Sequence, residues 1–137
     1  MTETNNLSQV TTTTYDNKGN KKTVTDANST VTTYNYDNAD RLTSTVDPAS
    51  QTESYAYDAN GNRTSLTDVR GKVTSYAYDA DNHLTSETDP LSNVTSYTLD
   101  AAGRVTQRTD GRGLVTKYFY VRQSLTTSFC KVPMVRG

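Results

Sequence analysis

Ten tyrosines recur in this chain in two columns spaced 21 residues apart, and that spacing constrains the fold more than any other feature. Tyr15, Tyr36, Tyr57, Tyr78 and Tyr120 form one column, and Tyr34, Tyr55, Tyr76, Tyr97 and Tyr118 the other; only Leu99 interrupts the first. Asp16, Asp37, Asp58, Asp79 and Asp100 follow the first column, and Asp26, Asp47, Asp68, Asp89 and Asp110 run in the same register. Val31, Val73, Val94 and Val115 mark a further position, with Thr52 as the exception. Columns that hold phase over five copies define an internal repeat array, in which each unit packs only on its neighbours.

The array is expected to comprise a partial leading repeat over 1–14, five 21-residue repeats over 15–119, and a degenerate or non-repeat tail over 120–137 that contains the single Cys130. A 42-residue superperiod overlies it. Asp47-Pro48 and Asp89-Pro90 alternate with copies lacking Pro, and Gly19-Asn20 returns as Gly61-Asn62.

Within one copy, Val73-Thr74-Ser75-Tyr76-Ala77-Tyr78 is β-branched and aromatic, so it predicts a strand. Period-2 geometry puts Thr74, Tyr76 and Tyr78 on one face and leaves a thinner, more polar face with Val73 and Ala77. Asp58-Ala59-Asn60-Gly61 predicts a turn, because Asp accepts its own downstream N–H groups and Asn-Gly takes positive φ readily. The return segments Arg41 to Val46 and His83 to Thr88 are again Thr-rich and strand-like, and each ends at another Asp-led turn. The expected fold is all-β: an antiparallel meander of stacked hairpins forming an open curved or spiralling sheet, with the Tyr columns laddering across strands. Thr, Asn, Asp and Gly dominate without a 3.6-residue period, which argues against helix.

Composition narrows the partners. The chain has 137 residues, 32% of them hydrophobic, and a formal net charge of −1. Its scattered Lys and Arg give no footprint for nucleic acid. No apolar run approaches the roughly 18 residues of a membrane span, so membrane insertion is not expected, and the opening Met1 to Asn6 is too polar for a secretory signal. One Cys and one His supply neither an internal disulfide nor a zinc site.

Tyr15-Asp16-Asn17-Lys18-Gly19, Tyr57-Asp58-Ala59-Asn60-Gly61 and, with Leu for Tyr, Leu99-Asp100-Ala101-Ala102-Gly103 resemble the YD repeat of Rhs proteins, over about residues 5 to 120. Asp40 and Asn82 stand where that repeat has Gly, and Lys21 and Arg63 where it has an apolar residue. The resemblance implies hairpins stacked into a spiralling sheet that closes, in long proteins, into a hollow shell. In bacterial members the shell encloses a C-terminal toxin domain; teneurins and insecticidal toxin complexes have similar shells. It further implies, as partners, the remainder of a longer Rhs-type chain or an enclosed toxin domain, and a parent that is secreted or displayed at the bacterial cell surface.

No catalytic constellation is expected. The Asp columns fit neither of the calcium-loop motifs and read as turn caps, so no metal and no cofactor is predicted. His83 shares a column with Asn20, Arg41, Asn62 and Arg104 and reads as one polar choice on an exposed strand. Cys130 lacks a fixed His partner, and no Ser or Thr sits in a nucleophile motif. Asn28, Asn62 and Asn93 begin glycosylation triplets that arise freely in a Thr-rich chain. Two readings therefore stand: a non-enzymatic structural segment of a toxin-enclosing or effector-presenting β-shell, or a module that binds carbohydrate or protein through an open Tyr-lined face. Open sheet edges add the expectation of self-association.

Overall fold

The computed structural model describes residues 1–4, 10–120 and 132–134, with only the backbone of the last three. Cys130, most of the expected tail and part of the leading repeat lie outside the described residues. Thirteen strands are present among those described: β1 (Thr2–Thr4), β2 (Val10–Tyr15), β3 (Lys21–Thr25), β4 (Val31–Tyr36), β5 (Leu42–Val46), β6 (Thr52–Tyr57), β7 (Arg63–Thr67), β8 (Val73–Tyr78), β9 (Leu84–Thr88), β10 (Val94–Leu99), β11 (Val105–Thr109), β12 (Val115–Phe119) and β13 (Val132–Met134). They form one antiparallel sheet in strictly sequential order, with β1 and β13 at the two edges, so the sheet is an open meander. This is the expected fold class.

The Tyr-bearing strands keep the period-2 alternation. Along β8, Thr74, Tyr76 and Tyr78 are half-buried, whereas Val73, Ser75 and Ala77 are exposed. The return strands do not. Tyr78 pairs with Leu84 and Ala77 with Ser86, which leaves Thr85 as an extra residue, and the same slip follows Asn35, Ala56, Thr98 and Thr14. Each β-bulge lets Leu84 and Glu87, three apart, face the same side. At three of these bulges a hydroxyl holds the extra residue in place: Thr43, Thr85 and Thr106 donate to the carbonyls of Asn35, Ala77 and Thr98 at 3.1 to 3.2 Å.

Tyrosines do not face tyrosines across the ladder. A return strand separates every two Tyr-bearing strands, so the direct partners of Tyr34, Tyr55, Tyr76 and Tyr97 are Thr45, Leu66, Glu87 and Arg108. The expected aromatic ladder is thus interleaved with aliphatic and charged side chains. None of the described residues is buried, polar or apolar, because a single layer has no second sheet or helix to cover either face. On the thinner face a row of valines, Val10, Val31, Val73, Val94 and Val115, is 42 to 46% exposed.

Candidate functional site

The repeated residues converge on two structures, a row of Asp-capped turns and the Tyr face. All ten Asp-led turns among the described residues share one design. The Asp N–H donates to the carbonyl four residues on, and the N–H three residues on donates back to the Asp carbonyl. The Asp carboxylate then accepts the N–H at the fifth position, as Asp58 does from Asn62 at 2.9 Å and Asp89 from Asn93 at 2.9 Å. This is a type I turn followed by one left-handed residue, so only the fourth position has positive φ. Gly61 sits there at 92°, while Asn60 does not share the positive φ expected of Asn-Gly. The two departures from the Gly pattern occupy the same conformation, Asp40 at 61° and Asn82 at 65°, as do Ser29, Ser50 and Ser92.

Asp16, Asp37, Asp58, Asp79 and Asp100 carry a second tie that was not legible from spacing alone. Each holds the side chain of the fifth turn residue: Asn20 at 3.1 Å, Arg41 at 2.7 Å, Asn62 at 2.9 Å, His83 at 3.2 Å and Arg104 at 2.8 Å. His83 therefore lies in a turn before β9, half-buried against Asp79, and not on an exposed strand. The column reads as polar in sequence because its task is to hydrogen-bond the cap.

These side chains also reach the next turn along. Asn20 donates to Asp40 at 2.9 Å, Lys18 pairs with Asp40 at 2.9 Å, Arg41 donates to the Asp58 carbonyl at 2.9 Å and Asn62 to Asn82 at 2.7 Å. The His83 ring lies on Gly103, where a β-carbon would come within 2.3 Å of Nε2. The turns on this side of the sheet are laced into a continuous rail. Backbone and side-chain donors hold the carboxyls of Asp58 and Asp100 below the usual carboxylate range, led by the Asn62 amide and the Arg104 guanidinium. Asp37 and Asp79 are lowered too, the Arg41 and His83 backbone N–H groups leading.

On the Tyr face, cations cover several rings. Lys21 Nζ lies 5.3 Å from the Tyr34 centroid, and the guanidinium carbons of Arg41, Arg63 and Arg104 lie 4.8, 5.1 and 4.8 Å from those of Tyr57, Tyr76 and Tyr120. Lys21 and Arg63, which replace apolar residues of the repeat, are thereby accounted for. Tyr57, Tyr78 and Tyr120 donate to the carbonyls of Leu42, Arg63 and Val105 at 2.8, 3.1 and 2.8 Å. The Tyr55 hydroxyl donates to Glu53, and burial followed by that carboxylate pushes its pKa up. Tyr15 is 48% exposed, Tyr97 lies on the same side of β10 as Leu99, and Tyr118 is on the half-buried side of β12. Gly19, like Gly61, holds its turn at positive φ.

The chemistry available is that of scaffolding. Among the described residues no three His, Cys, Asp or Glu side chains gather as metal ligands. Two shallow grooves open beside the second Asp column, one lined by Glu87, Arg108 and Asp110 and the other by Val31, Asp47 and Pro48. No described helix is long and apolar enough to cross a membrane.

An open one-layer sheet of Asp-capped hairpins with tyrosines along one face is the build of a YD-repeat shell wall. The chain belongs to the teneurin YD-shell family, whose sequence model matches residues 1–132. Among solved structures, the TcdB2-TccC3-Cdc42 crystal structure superposes with a TM-score of 0.67 at 20% identity, covering 82% of this chain and 6% of that one. The Photorhabdus luminescens Tc holotoxin pore with a TccC3 variant gives 0.63 at 18% identity, covering 86% of this chain and 9% of that one. At those identities the likeness establishes the fold, and this chain spans less than a tenth of the chains it matches. No curated protein matches the sequence.

Proposed function

We propose that this chain is a non-enzymatic wall segment of a longer exported YD-shell protein, supplying hairpins to a shell that encloses or presents a toxin or other effector. The carrying observation is the absence of any buried residue among those described, in a sheet whose two edge strands are both open. A sheet of this kind completes its burial by being continued at its edges and covered on a face, which a wall segment achieves within a larger shell. In this reading the tyrosine, Asp and Gly columns are structural repeat residues, and the described groups work as caps and ties. Half-buried tyrosines with cations over their rings favour sheet packing over an open sugar-binding platform.

The test uses the longest reading frame that contains this sequence. In-frame YD repeats on both sides, and a neighbouring domain that resists protease until residues 10–120 are deleted, are the expected results. A frame without flanking repeats, or a neighbour equally protected after the deletion, refutes the proposal.

A further inference from the structure

Five joints connect one hairpin to the next: β3–β4, β5–β6, β7–β8, β9–β10 and β11–β12. Their backbone pairing is alike, with three register pairs at each. Their side-chain ties differ. At β5–β6, Arg41 covers Tyr57 and the Tyr57 hydroxyl donates to the Leu42 carbonyl. At β11–β12, Arg104 covers Tyr120 and Tyr120 donates to Val105 in the same manner. At β7–β8 the cation moves one residue along, so Arg63 covers Tyr76 while Tyr78 donates to the Arg63 carbonyl. At β3–β4, Lys21 covers Tyr34.

The β9–β10 joint breaks this rule twice. Where Arg41 and Arg104 supply a guanidinium, the chain has His83, whose ring stays on the turn rail between Asp79 and Gly103. Where Tyr57 and Tyr120 supply the ring and hydroxyl, the chain has Leu99, the one interruption of its Tyr column. The alternative pairing is closed as well, because the position of Lys21 and Arg63 is Leu84 here, which carries no charge. The two exceptions occur together, as they must if cation and ring act as one tie: an arginine gains nothing here without the aromatic partner.

We infer that the β9–β10 joint is a built-in hinge of this sheet, the place where adjoining hairpins part most readily while the joints on either side stay closed. A cation over an exposed ring and a partly buried hydroxyl bond together correspond to roughly tenfold in a local opening equilibrium. The hinge goes beyond the proposed wall function and stands or falls separately from it, since it concerns only the relative opening of joints within this chain.

Amide hydrogen exchange on the full chain tests it. Fraying from the chain ends predicts that β11–β12, nearer the C-terminus, exchanges faster than β9–β10; the hinge predicts the reverse, by about tenfold. Equal rates, or a slower β9–β10, overturn the inference. Rebuilding the tie with His83→Arg and Leu99→Tyr together is expected to slow β9–β10 exchange to that of β5–β6. Removing it elsewhere, with Arg41→His and Tyr57→Leu, is expected to create a second fast joint at β5–β6, and unchanged exchange there refutes the inference even if the rebuilt variant does not fold.

Discussion

Relieving the three serines held in the left-handed conformation should stabilise the sheet measurably. Ser29, Ser50 and Ser92 sit at φ of 64°, 62° and 66°. An L-residue with a β-carbon pays about 1–2 kcal/mol there, and glycine returns about 0.5–1 kcal/mol of that through its freer unfolded chain. The net gain is about 0.5–1 kcal/mol per site, hence about 1.5–3 kcal/mol for the triple Ser→Gly variant if the separated turns add. The reverse exchange calibrates the argument. A β-carbon at Gly71 meets nothing within 4 Å, so Gly71→Ser should lose only the conformational part. Gly103→Ser should lose more, because its β-carbon must first displace the His83 ring. Urea unfolding followed by circular dichroism at fixed protein concentration reads the effect; with a slope near 2 kcal/mol/M the triple variant should raise the midpoint by about 1 M. A midpoint that stays put or falls would show that the serines are held by something other than the turn geometry.

Acid should destabilise the chain. Asp26, Asp37, Asp58, Asp79, Asp89, Asp100 and Asp110 have lowered pKa values, so the stability they give is complete above the unfolded carboxylate value of about 3.8 and is lost as pH falls through their folded values. A circular dichroism titration that is flat from pH 5 to pH 2 would contradict this. Tyr57→Phe should cost about 0.5–1.5 kcal/mol through the lost bond to Leu42, whereas Tyr15→Phe should be nearly neutral in the same urea assay. Finally, the purified chain should melt broadly or at a concentration-dependent temperature, since two open edges and the lack of any buried residue among those described favour association; a sharp, concentration-independent melt of a monomer is the opposing result.

The architecture was legible because its signals are local and repeated five times. Alternating Thr and Tyr at period 2 and Asp-led turns leave a meander as the natural solution. The turn's inner geometry was less so. Asn60-Gly61 suggests two positive-φ residues, yet the Asp58 carboxylate selects a turn in which only Gly61 needs one. The same cap imposes that conformation on Ser50 and Ser92, residues whose own preferences do not announce it. The bulge at Thr43 was hidden because an extra residue breaks the alternation that sequence reading counts on, so Leu42 and Thr45 share a face only once pairing is known. His83 looked like a surface choice because its partners, Asp79 and Gly103, lie four residues back and one hairpin ahead.

The rail of linked turns gives the array a preferred quantum of length. Along it, Asn20 and Asn62 donate to the side chains of Asp40 and Asn82, whereas the alternate turns carry Gly61 and Gly103 at that position. Excising or duplicating 42 residues preserves that alternation, whereas a change of 21 sets Asn20 or Asn62 against a glycine turn that lacks the side-chain acceptor. Recombination between copies would therefore pass most smoothly in pairs of hairpins, so that a wall of this type grows and shrinks by even steps.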